Sequence, residues 1–290
     1  MSDQAQRLRN LMRTKLGPRS DTRIITVTSG KGGVGKSNFT LNFALALQAK
    51  GYKVLVFDAD IGLANIDVLM GVTPKYNLYH LLKREKTIWD IIQKGYNDLE
   101  FIAGGSGFSD LVRLSDAELD YFSEQISQLN GYADYIFFDT GAGLSKETMK
   151  FIVASMETIV VTTPEPTSIT DAYAIIKMVH SMNDDVRFRL VVNRVSEWRE
   201  GQMTAEKISL VAKRFLNLDI PTLGYMLDDS SVPKAVKRQI PFSIAYPNSL
   251  AAKGIEQMAQ RFVSGQDVSD DPRPNEGVKG FLNKMIKLLR

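Results

Sequence analysis

Apolar positions along this chain fall into two rhythms that alternate. Short runs rich in Val, Ile and Phe, without strict in–out alternation, occur at RIITVTS (23–29), KVLVFDAD (53–60), LEFIAGG (99–105), YADYIFFDT (132–140), ETIVVTTP (157–164) and RFRLVVNRV (187–195). Such runs suit strands buried on both faces. Stretches with helical spacing separate them, among them Lys36 to about Lys50 and residues 115–129, 145–155 and 168–181. This rhythm predicts an α/β fold, a doubly wound and mostly parallel sheet flanked by helices.

The two ends break the rhythm. Leu8, Leu11, Met12 and Leu16 recur among Arg7, Arg9, Arg13 and Lys15 at roughly helical spacing, until GPRSD (17–21) interrupts. SGQDVSDDPRPNEG (264–277) is polar, aperiodic and proline-containing, as a flexible linker is. VKGFLNKMIKLLR (278–290) then gathers Val278, Phe281, Leu282, Met285, Ile286, Leu288 and Leu289 on one side of a helical wheel. Lys279, Asn283, Lys284, Lys287 and Arg290 take the other. The expected division is an N-terminal segment (1–20), a nucleotide-binding domain (21–263), a linker (264–277) and a basic amphipathic helix (278–290). That helix suits reversible binding to an anionic membrane surface, with Phe281, Leu282, Met285, Ile286 and Leu289 inserted and Lys284 and Lys287 at the headgroups. The alternative is a helix docked on the body; both hold if the nucleotide-free protein hides it.

Composition narrows the chemistry. The chain has 290 residues, 44% of them apolar, and no apolar run near the ~20 residues of a membrane span. The N-terminus has no signal-like apolar core, so a cytoplasmic protein is expected. With no cysteine, disulfides, thiolate metal sites and cysteine-ligated clusters are excluded. His80 and His180 sit in helical contexts and read as packing or surface residues. A net charge of +3 does not by itself call for nucleic acid.

Residues 30–37 fit G-x-x-x-x-G-K-[ST] between a strand and a helix. Gly30, Lys31, Gly32, Gly33, Val34, Gly35, Lys36, Ser37 and Asn38 form the expected ATP/ADP loop. Its glycines let backbone N–H groups curl round phosphate oxygens. Lys36 reaches the terminal phosphates and the Ser37 hydroxyl binds Mg²⁺. Asp139 ends YIFFD and suits a metal role through water, Asp58 points to the same side, and Asp60 just beyond it suits orienting water. Asn193, at a strand end, fits either a purine edge or turn chemistry. Glu165, beyond another strand end, fits a nucleotide or dimer contact.

KGGVGKSN, FDADIGLANID and FFDTGAG, in that order, resemble the deviant Walker A ATPases of the MinD/ParA type over about residues 23 to 263. The resemblance implies a MinD-like P-loop NTPase fold, slow Mg²⁺-dependent ATP hydrolysis and an ATP-dependent homodimer. In it Lys31 reaches the partner subunit's phosphates, and Lys31, Lys36 and Asp60 are the catalytic residues. Residues 139–143 correspond to switch II, and Asn193 to an adenine-contacting position. Ser37-Asn38 departs from the two threonines usual in MinD-type loops, which leaves metal ligation intact and turnover open.

DQAQRLR (3–9) is similar to the activating segment of the FlhG-type, flagellar branch of that family. There Asp3, Gln4, Ala5, Leu8 and Arg9 would stimulate an FlhF-type signal-recognition GTPase, with flagellar switch-complex (C-ring) proteins as further partners. No specific nucleic acid is expected. A division-site or DNA/cargo-positioning ATPase, or a scaffold that binds nucleotide without turnover, are the alternatives.

Overall fold

A computed structural model of the protein describes residues 22–60, 65–104, 115–265 and 277–289. Asp3, Gln4, Ala5, Leu8 and Arg9, and most of the expected linker, lie outside the described residues. β1 (Arg23–Ser29) leads into α1 (Lys36–Ala49), β2 (Val54–Ala59) and three short helices, α2 (Ile66–Met70), α3 (Leu78–Leu82) and α4 (Ile88–Ile91). β3 (Ile92–Lys94), β4 (Glu100–Ile102), α5 (Asp116–Ser127), β5 (Tyr135–Ala142), α6 (Lys146–Ala154) and β6 (Glu157–Thr162) follow. Then come α7 (Pro166–Met182), β7 (Arg187–Val195), α8 (Trp198–Leu216) and β8 (Thr222–Leu227). α9 (Ser231–Lys237), α10 (Phe242–Ala245), α11 (Leu250–Ser264) and α12 (Gly277–Leu289) close the chain.

The strands form one sheet in the order β3-β4-β2-β5-β1-β6-β7-β8, parallel except where β3 runs antiparallel to β4 at the edge. All six strands expected from the apolar runs are present. β3 is three partly exposed residues and β8 an edge strand interrupted by Gly224, so neither carries the buried-run signature.

Alternation along the strands sorts the core into two layers. On β5, Tyr135 and Phe137 face α1 and α11, while Ile136 and Phe138 face α5, α6 and α12. Phe43 of α1 meets Phe137 and Phe262 edge-on, at 5.7 and 5.4 Å between ring centres. The same alternation puts Asp58 and Asp139, next along β2 and β5, on the α1 side at the carboxyl ends of the strands.

α12 takes the docked position, the sequence-based alternative to membrane binding. It lies against α5, α6 and the start of β1. Val278, Phe281, Leu282 and Met285 are buried there, and Ile286 and Leu289 half-buried. Phe281 stacks on Phe138 at 4.8 Å. Lys284 brings Nζ to 2.9 Å from the Met156 sulfur, and Lys287 is exposed. The face expected to enter a membrane is therefore in the protein's own core. The cause is elementary: each such side chain gains about 1.5–3 kcal/mol by leaving water, and the open side of β5 is the nearest apolar surface. Among the described residues no helix is long and apolar enough to cross a membrane.

Truncating a buried phenylalanine costs about 3–5 kcal/mol. Phe281→Ala is therefore expected to release α12 and raise the fluorescence of an apolar-surface dye. Unchanged dye binding would show that Phe281 does not hold the helix.

Candidate active site

The loop between β1 and α1 is shaped by its glycines. Gly33 and Gly35 adopt φ of 78° and 90°, the left-handed region that side chains disfavour. A Cβ on Gly32 or Gly33 would meet nothing within 4 Å. This side of the loop is an open cradle, and α1, starting at Lys36, turns its positive end toward it. Gly30 and Gly35 are needed for a different reason. A Cβ on Gly30 would strike the Asp171 and Ala172 backbone in α7, and one on Gly35 the Asn193 amide.

Asn193 donates from Nδ2 to the Val34 carbonyl at 2.7 Å, and its Oδ1 accepts from the Arg194 N–H at 2.8 Å. Its amide braces the loop, the local role that the sequence allowed beside a purine-edge contact. Asn38 is tied in the same way: its carbonyl accepts from Asn42 Nδ2 at 2.8 Å.

Beneath the loop lies a buried charged cluster. Lys36 Nζ is 2.9 Å from Asp139 Oδ1 and 3.2 Å from Ser37 Oγ. The Thr40 hydroxyl donates to the same Asp139 Oδ1 at 2.8 Å. Asp139 Oδ2 is buried with no hydrogen-bond partner among the described residues. An orphaned carboxylate oxygen is costly to keep dry, and it marks where a cation or its bound water fits. Ser37 Oγ and Asp139 are hard oxygen donors of the kind Mg²⁺ takes while keeping several waters.

Asp58 pairs in register with Asp139 on the neighbouring strand and is buried. Its Oδ1 accepts from the Asp60 N–H at 3.2 Å, and its Oδ2 from those of Asn65 and Ile66 at 2.9 and 3.0 Å. Both oxygens are thus engaged by backbone, so Asp58 anchors the segment bearing Asp60. Burial, then the charge of Asp139, push its carboxyl up to about 7, against the three N–H groups that pull it down.

Asp60 lies where β2 has ended, against the end of β5; a Cβ on Gly141 would sit 3.3 Å from its Oδ1, and the turn after β5 begins just beyond. That turn folds back on the loop strand, with the Gly143 N–H donating to the Ser29 carbonyl at 2.9 Å. Asp60, Asp139 and the glycine loop are thereby brought together at the carboxyl ends of the central strands.

Lys31 points elsewhere. Its Nζ meets Glu165 Oε2 at 2.8 Å and Thr167 Oγ1 at 3.3 Å, at the start of α7. The Lys31 contact holds the Glu165 carboxyl below its usual range. Two residues considered separately in the sequence are thus partners, on the surface, where an ion pair exchanges easily.

Thr40, Asn42 and Thr167 escaped the sequence reading. Thr40 had a signal, since four residues on from Lys36 is the same helix face. Asn42 accepts from the Ser243 N–H at 2.9 Å and Thr167 meets Lys31, and no local pattern marks either contact.

Residues 25–242 match the family described as the CobQ/CobB/MinD/ParA nucleotide binding domain. The flagellum site-determining protein YlxH of Helicobacter pylori is 43% identical, with 100% of both chains covered. The antiactivator FleN of Pseudomonas aeruginosa is 36% identical over 94% of this chain and 96% of its own. Among solved structures, the septum site-determining protein MinD of Pyrococcus horikoshii complexed with Mg-ADP has a TM-score of 0.69 at 26% identity, covering 86% of this chain and 99% of that one. The MinC:MinD cell division complex of Aquifex aeolicus gives 0.70 at 25%, covering 84% and 96%.

Gly35→Ala combines a disfavoured φ with a collision, and strain of roughly 1–3 kcal/mol should weaken nucleotide binding about tenfold or more. Binding at wild-type affinity in a fluorescence titration would contradict that geometry. The Asp58 carboxyl of metal-free protein is expected to titrate near the value of about 7 when followed by carbon NMR. Its folded-state pKa lies above that of the unfolded chain, so the folded state holds the extra proton. Stability should then fall as pH rises from about 4 to about 7. A midpoint below about 5 would show that Asp58 is better solvated than the geometry implies.

Proposed function

The chain belongs to the CobQ/CobB/MinD/ParA nucleotide-binding family, and on that premise we propose that this MinD-like, Mg²⁺-dependent ATPase is an ATP-gated dimer regulating flagellar number and placement. The observation that carries the reading is the position of Lys31. It belongs to the loop yet stands outside its own phosphate cradle, on an exposed and exchangeable partner, Glu165. A second subunit facing the cradle would offer Lys31 phosphate oxygens in place of one carboxylate.

Within each subunit the proposed roles of the other residues are these. Lys36 leaves Asp139 for the terminal phosphates. Ser37 and Asp139 hold the metal. Asp60, anchored through Asp58, orients the attacking water from the carboxyl ends of the strands. Bound Mg²⁺ supplies neutralisation of phosphate charge. Closure of the dimer exposes α12, whose apolar face then has an anionic membrane as its host, and two such helices bind with avidity. The N-terminal segment (Asp3, Gln4, Ala5, Leu8, Arg9) stimulates an FlhF-type GTPase, and switch-complex proteins are the further partners. The flagellar names of the relatives at 43% and 36% identity support this reading over a division-site role.

Sizing by light scattering separates the roles. Asp60→Ala with ATP is expected to run as a stable dimer, and wild type with ADP as a monomer. Lys31→Ala should bind nucleotide yet stay monomeric with ATP; a normal ATP-dependent dimer of this variant would remove the trans role of Lys31.

A further inference from the structure

We propose that Thr40 is a positioning residue for the reaction: its hydroxyl keeps Asp139 aimed at the metal once Lys36 has turned to phosphate. Asp139 Oδ1 receives two donors, Lys36 Nζ at 2.9 Å and Thr40 Oγ1 at 2.8 Å. The hydroxyl has one proton and two acceptors in reach, Asp139 Oδ1 and the Lys36 carbonyl at 3.0 Å. The carboxylate takes the proton, because a hydrogen bond to an ionised acceptor is shorter and stronger. The carbonyl contact is the back-bond that threonines make inside helices generally.

Lys36 cannot serve both masters. The ammonium that now lies on Asp139 is the group that meets the terminal phosphates. When it turns, Thr40 is the remaining donor to Oδ1 among the described residues, and Oδ2 has none. A carboxylate pinned at one oxygen presents the other in a set direction. Unpinned, it rotates, and the cost appears in metal binding. Thr40 is fully buried, so water does not replace its hydroxyl, and its place one turn below Lys36 keeps it off the nucleotide itself.

This inference rests on the assignment of Asp139 to the metal, and one experiment distinguishes the two. The affinity of a fluorescent ADP analogue is measured with Mg²⁺ and with EDTA for wild type, Thr40→Val, Thr40→Ala and Thr40→Ser. Wild type should bind more tightly with Mg²⁺. Thr40→Val should match wild type in EDTA and lose roughly tenfold of the gain from Mg²⁺, the scale of one charge-assisted hydrogen bond. Thr40→Ser should keep the gain, and Thr40→Ala, which adds no methyl against the carboxylate, should lose it as Thr40→Val does. A full gain in Thr40→Val and Thr40→Ala, or an equal loss with and without Mg²⁺, overturns the role of Thr40. No gain in wild type overturns the metal assignment and the inference with it.

Discussion

The buried contact between Lys36 and Asp139 is the constraint around which the site is arranged. Two charges are buried between sheet and helix, and each would cost several kcal/mol alone. Pairing at 2.9 Å and the hydroxyls of Ser37 and Thr40 offset that cost without removing it. Asp139 keeps one oxygen bare, and Asp58 adds a second buried carboxylate in register beside it. The cluster is thus left with a bare carboxylate oxygen and a neighbouring carboxyl that burial pushes up to about 7. In the proposed cycle a divalent cation takes the bare oxygen, and polyphosphate replaces Asp139 as the partner of Lys36.

The same two strands connect this cluster to the far side of the sheet. Phe57 precedes Asp58 and Phe138 precedes Asp139. The two rings stack at 5.0 Å on the face opposite the acids, and Phe138 also carries Phe281 of α12. Consecutive residues thus face the phosphate cradle and the C-terminal helix. A rearrangement at Asp139 passes, in the proposed cycle, to Phe138 through this packing. In the proposed cycle α12 has two hosts, the groove on β5 and a lipid surface, and one apolar face cannot fill both.

Much of this was legible in the chain because the signals were local. The glycine loop, the strand-end aspartates and the helix behind them follow from spacing, and their order carried the family resemblance. What stayed hidden depended on contacts between distant segments. Glu165 as the partner of Lys31 and the Val34 carbonyl as the target of Asn193 join residues more than a hundred positions apart. Asp58 was placed on the correct face by strand alternation, yet its use by three backbone N–H groups follows from how the chain returns after β2. The amphipathic pattern of 278–290 was read correctly as a pattern. A helical wheel shows which residues leave water together, and it is silent on whether lipid or the protein's own core receives them.

Coupling between the nucleotide site and α12 is tested most directly by amide hydrogen exchange across residues 277–289, comparing ADP–Mg²⁺ with ATP–Mg²⁺ in a hydrolysis-blocked protein. Protection retained with ADP and lost with ATP is the expected result. Equal protection in both states would contradict a helix released by the triphosphate, and would leave α12 a permanent part of the core.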